Sequence, residues 1–104
     1  MANGYVGILT VELHFPESTS LKGKRKFVKS AKAQLRERFG ASVAEVDHHD
    51  LWQRSTLAAA FVSGSARRLD DHIDAVEGWL DARFEGAVVV ERTLTSIEDL
   101  SGIA

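Results

Sequence analysis

The stretch YVGILTVELHF, Tyr5 to Phe15, alternates without a break. Tyr5, Gly7, Leu9, Val11, Leu13 and Phe15 fall on one side; Val6, Ile8, Thr10, Glu12 and His14 fall on the other. A period of two residues specifies a strand. Pro16 stops it, because proline brings no N–H to a ladder, and Ser18 or Ser20 is placed to cap a helix. From Leu21 the period becomes helical: Leu21, Val28 and Leu35, with Phe27, Ala31 and Phe39, form an apolar stripe that ends at Gly40, the residue a helix C-terminus favours.

Downstream the signals repeat. Ala41 to Asp47 and Arg54 to Ser63 read as strands, the second apolar on both sides (Leu57, Ala59, Phe61 and Ala58, Ala60, Val62) and therefore central. Ser65 caps a second helix with the stripe Leu69, Ile73, Val76, Leu80 and Phe84, ending at Gly86, and with Asp70, Asp71, Asp74, Glu77 and Asp81 outside. Ala87 to Leu94 gives a last strand, and Thr95 to Ala104 a tail with room for a short helical turn. The order is βαββαβ. With right-handed crossovers this is an α+β, ferredoxin-like sandwich: a four-stranded antiparallel sheet with two helices on one face, a single domain spanning 1–104 with its core over about 5–94.

Composition narrows the function. At 104 residues and 44% hydrophobic the chain suits one compact domain. It has no cysteine, which removes disulfides, thiolate metal sites and thiol nucleophiles and fits a reducing cytoplasm. No basic and apolar leader and no run of membrane-spanning length is present, so a cytoplasmic protein with no membrane partner is expected.

Charge is distributed unevenly. Between Lys22 and Arg38 eight basic residues (Lys22, Lys24, Arg25, Lys26, Lys29, Lys32, Arg36, Arg38) meet one acid, Glu37, a local +7 in a chain of net charge -2. Such asymmetry points to a polyanionic partner. Lys22, Lys24, Arg25 and Lys26 lie on the first turns of the helix, beside free backbone N–H groups and the positive dipole end. The competing reading is a solvated face in which Lys29, Lys32 and Arg36 are neutralised by the acidic second helix.

The topology brings His14, the segment Ser20 to Lys26 and the hairpin DHHDLWQR, Asp47 to Arg54, to one edge of the sheet. Trp52 and Arg54 can stack on a base or grip a phosphate there; structurally, Trp52 would cover the sheet end and Arg54 would pair with Glu12 or Asp47. His14, Asp47, His48, His49 and Asp50 are the candidates for a metal or a small hydrolytic site. Adjacent histidines on a strand diverge, however, and no recognised metal spacing or activated nucleophile is present, so no catalytic residue, metal or cofactor is assigned. The RNA-recognition-domain mode is disfavoured, since Tyr5, Phe15 and Phe61 fall on the side of Leu9, Val11 and Leu57, toward the helices. The other side, with Val6, Ile8, Thr10, Ala58, Ala60 and Val62, offers an apolar face for a second subunit.

The segments VGILTVELHFPESTSLKGKRKFVKS and SVAEVDHHDLWQRSTLAAAFVS resemble the YlxP-like family, a bacterial domain family of unknown function. The matching positions are Ser20, Leu21, Lys22, Lys24 and Arg25, then Glu45, Val46, Asp47, Asp50, Leu51, Trp52, Gln53 and Arg54. Gly23 departs from the acidic or polar residue more usual there, which weakens a capping box. The resemblance implies a ferredoxin-like fold and, through gene neighbourhoods rich in translation-initiation and ribosome-maturation factors, a role near the ribosome. The expectation is a non-enzymatic homodimeric module that binds RNA or a ribosomal component through Lys22, Lys24, Arg25, Lys26, Lys29, Trp52 and Arg54, the alternative being a protein-interaction domain that uses the open sheet face.

Overall fold

A computed structural model describes residues 3–17 and 19–102. The elements follow in the order β1 (Tyr5–His14), α1 (Leu21–Phe39), β2 (Ser42–Asp47), β3 (Arg54–Ser63), α2 (Ala66–Arg83), β4 (Val88–Ser96) and α3 (Ile97–Ser101). The sheet order is β2-β3-β1-β4 with every neighbouring pair antiparallel. This is the ferredoxin-like arrangement. The β1 and β3 strands are central, and their ladder runs unbroken from Tyr5 opposite Ser63 to His14 opposite Arg54.

Alternation decides which side chains meet the helices. Leu9, Val11 and Leu13 of β1 and Leu57, Ala59 and Phe61 of β3 are buried against Val28, Ala31 and Leu35 of α1 and Leu69, Ile73, Val76 and Leu80 of α2. Burying each large aliphatic side chain is worth about 1.5–3 kcal/mol, so this layer holds the helices on the sheet. Tyr5, Phe15 and Phe61 lie with that layer, as their register predicts. Gly7 is required by the same packing: a Cβ there would overlap Ile73 Cδ1 and crowd Leu94 and Leu69, so α2 approaches β1 more closely than any side chain permits.

The helix ends follow their sequence signals, with differences. Ser20 caps α1, its Oγ accepting from Gly23 N at 3.1 Å; Ser18, the other candidate, lies outside the described residues. Gly40 closes α1 in the left-handed conformation (φ 68°). The second helix stops at Arg83 with Phe84 as its cap, before Gly86, whose φ of 72° turns the chain into β4. The last strand runs to Ser96, past the expected end at Leu94. Its continuation as α3 is fastened where Ile97 N donates to Gly4 O at 2.9 Å, so much of the expected tail is structured; Ile103 and Ala104 lie outside the described residues.

Candidate nucleic-acid interface

The hairpin between β2 and β3 is built around a buried ammonium. The Lys24 side chain, one turn into α1, is wholly excluded from solvent. Its Nζ donates to His48 O at 2.7 Å, His49 O at 3.0 Å and Glu45 Oε2 at 3.1 Å, with Arg54 O at 3.3 Å as a fourth contact. An ammonium carries three N–H donors, so each proton is used. The Ser55 hydroxyl donates to the same Glu45 oxygen. Burial pushes the Glu45 carboxyl up, but hydrogen bonds from Ser55 and Lys24 and the Lys24 charge outweigh it, and its pKa lies below the ordinary value.

The surrounding chain is shaped to present those carbonyls. A register shift between Glu45 and Asp47 leaves Val46 as an extra residue. His48 adopts φ 62°, unusual for a residue with a Cβ, and its N–H donates to Asp47 Oδ1 at 2.7 Å. Leu51 N donates to His48 O at 3.2 Å. Gln53 ties the far side of the hairpin to the end of β1: its carbonyl accepts from Phe15 N at 2.7 Å, and its Nε2 donates to Pro16 O at 3.3 Å.

Lys24 is expected among the phosphate-binding cations, and its burial corrects this. Position 24 belongs to the stripe of Val28, Ala31 and Leu35, so its side chain points under the hairpin and cannot reach a phosphate. Phe27, assigned by periodicity to that stripe, lies off it: the ring is 49% exposed and packs on Phe15 at 5.5 Å between centroids.

The remaining cations form a second stripe. Each buried position of α1 is followed by a basic one: Arg25 after Lys24, Lys29 after Val28, Lys32 after Ala31, Arg36 after Leu35, with Lys22 and Lys26 extending the row. From Lys22 to Arg36 the row is about 21 Å long at 1.5 Å rise per residue. The second helix obeys the same rule with the opposite sign, Asp70, Asp74, Glu77 and Asp81 each following a buried residue. The two helices nevertheless turn these stripes to opposite edges of the sheet. Arg36 Nη2 lies 3.5 Å from Val43 O on β2, whereas Asp70, Asp74 and Glu77 close on Arg92 of β4 at 2.7–2.9 Å. Between the helices stand Phe39, His72 and Trp79. Neutralisation of Lys29, Lys32 and Arg36 by the second helix is therefore not what forms. Among the described residues the salt bridges of α1 are confined to Lys24.

The hairpin residues divide. Arg54 pairs with Glu12 at 3.2 Å, whose other oxygen accepts from Thr56 at 3.1 Å. Trp52 does not cover the sheet end. It is 54% exposed, beside an equally open Leu51, and borders a groove with His14, Asp50, Gln53 and Arg54. The neighbouring histidines use their rings separately, His48 Nδ1 with Thr56 Oγ1 at 2.9 Å and His49 Nε2 with Glu45 O at 3.1 Å. Among the described residues no three His, Asp or Glu side chains are grouped as metal ligands.

A split βαβ sandwich with a lysine-clasped hairpin and charged helices turned to opposite edges is thus a ferredoxin-like module with one polarised side. Residues 6–93 match the protein family of unknown function DUF503, and the chain belongs to that family. It is 29% identical over 93 residues to the uncharacterized protein YlxP of Bacillus subtilis (strain 168), covering 89% of this chain and 97% of that one. Among solved structures it is similar to the de novo designed protein Foldit4 (TM-score 0.55, 10% identity, 88% of this chain and 96% of the other). It is also similar to 30S ribosomal protein S6 from Thermotoga maritima (TM-score 0.50, 10% identity, 95% and 94%). At such identity the likeness is one of fold. No helix among the described residues is long and apolar enough to cross a membrane.

Proposed function

We propose that this protein is a small, cytoplasmic, self-associating module without a reaction of its own that binds RNA or a ribosomal component through the basic stripe of α1 and the adjoining hairpin edge. One observation carries the reading: Lys22, Arg25, Lys26, Lys29, Lys32 and Arg36 form a continuous row without carboxylate partners among the described residues, on the side of α1 away from the acidic helix. A row of free cations on a rigid helix suits a phosphate backbone. Lys24 shapes the edge from beneath. Trp52 offers an exposed aromatic surface for a base, and Arg54, held by Glu12, borders it. The choice of a ribosomal partner rests on the gene neighbourhoods that the family resemblance implies.

Filter binding of purified protein to ribosomal subunits and to a generic RNA across a salt series tests this. The expected result is affinity that falls steeply as salt rises, because each neutralised phosphate releases counterions. Absence of binding at low salt would move the interaction to a protein partner.

A further inference from the structure

The self-association in that reading calls for a surface, and the inference here rests on it. We propose that two copies pack open sheet face to open sheet face about a two-fold axis running along the strands between β1 and β3.

The face opposite the helices has no covering element among the described residues, yet it carries exposed Val62 (74%), Val89 (64%) and Ile8 (38%) around the smaller Ala58, Ala60 and Thr10. Four strands about 4.8 Å apart, three of them some 30 Å long and the six-residue β2 about 20 Å, present a footprint of roughly 550 Å². That is close to the ~800 Å² of accessible surface that each partner contributes to a standard interface. The sheet edges suit a second copy less well. Pairing β2 with its counterpart would set basic stripe beside basic stripe, and pairing β4 would set the α2 carboxylates beside their copies.

The register selects the axis. On the open face Val6 stands opposite Val62, Ile8 opposite Ala60, Thr10 opposite Ala58, Glu12 opposite Thr56 and His14 opposite Arg54. A two-fold axis along the strands and midway between the two columns exchanges them without reversing the rows. Ile8 of one copy then covers Ala60 of its partner, and Ala60 meets the partner's Ile8, so a large side chain faces a small one twice. The polar end, Glu12 with Thr56 and Arg54, meets the polar end. A two-fold axis across the strands would instead lay Val6 and Val62 on His14 and Arg54. Such isologous, aligned sheet packing is a common solution for two-layer interfaces. It leaves both α1 helices outside, so a dimer displays two basic stripes on opposite surfaces.

Sedimentation of the full chain over a range of concentrations, without RNA, tests the proposal. The wild type is expected to dimerise, and Val62→Asp, at a side chain so exposed that the monomer fold is retained by circular dichroism, to sediment as a monomer. Ile8→Glu and Ala60→Arg should each weaken dimerisation roughly 10-fold or more. Mixing the two variants should restore association between them, because the altered positions face each other across copies. A wild type monomeric at every concentration would remove the self-association itself. A dimer indifferent to Val62→Asp and Ile8→Glu would leave self-association standing and overturn this surface, and an unrescued mixture would overturn the axis.

Discussion

Lys24 Nζ lies 2.7 Å from the carbonyl oxygen of His48, 24 residues further along the chain. This contact joins the first turns of α1 to a hairpin whose backbone would otherwise present several carbonyls to the interior without donors. It gives the most basic segment of the sequence two separate jobs, one lysine ordering the edge from within and its neighbours facing solvent.

Lys24→Met should therefore cost stability on the scale of a broken buried ion pair, about 3 kcal/mol, because Glu45 and the hairpin carbonyls lose their donor. Chemical denaturation measures it. Lys24→Met/Glu45→Gln should recover only part of the loss, since the carbonyls remain unserved. A shift no larger than that of Lys22→Met, which sits exposed, would contradict the clasp.

Acid should act through the same pair. Glu45 is depressed in the folded state relative to its ordinary 4.5, so as pH falls the unfolded chain takes up this proton first. The stabilisation is complete above the unfolded value and is lost as pH drops below 4.5 through the folded one. Glu45→Gln should flatten that limb of the stability-pH curve. An unchanged slope would mean that other carboxylates govern it.

Gly7→Ala should destabilise by about 1–3 kcal/mol through overpacking, since the added methyl overlaps Ile73 Cδ1 in the core. Gly7→Ala/Ile73→Val, which removes the clashing atom, should regain most of the loss in a thermal melt. If the double variant is no more stable than Gly7→Ala, the strain lies in the backbone instead.

Arg92 gathers Asp70, Asp74 and Glu77 at 2.7–2.9 Å, and its hydrogen bonds to Glu77 and Asp74 raise its pKa further. These acids are partly solvated, so Arg92→Met should cost only about 1 kcal/mol, less in high salt, where the released carboxylates repel one another more weakly. Denaturation at two salt concentrations separates this from a packing effect, which salt would leave unchanged.

The fold was legible because its determinants are local: the unbroken alternation of Tyr5 to His14, the doubly apolar Arg54 to Ser63, serine caps and Gly40. The edge was legible only in part. Lys24 announces itself by charge, and its burial shows only in its place among Val28, Ala31 and Leu35; its partner Glu45 is 21 residues away. Arg92 gave a comparable signal that was missed, since it alternates with Val88, Val90 and Leu94 on the side facing the helices. Which edge each charged stripe turns to depends on how the helices seat on the sheet, and periodicity alone does not contain that.

RNA affinity measured against salt for the wild type, Arg25→Ala/Lys29→Ala and Trp52→Ala reads out whether the exposed stripe of α1 binds RNA. Steep salt dependence is expected in the wild type, with a slope reduced by roughly one to two units when the two stripe cations are removed. Trp52→Ala should weaken affinity while leaving the slope in place. A slope that Arg25→Ala/Lys29→Ala does not change would mean that the α1 stripe is not where RNA binds.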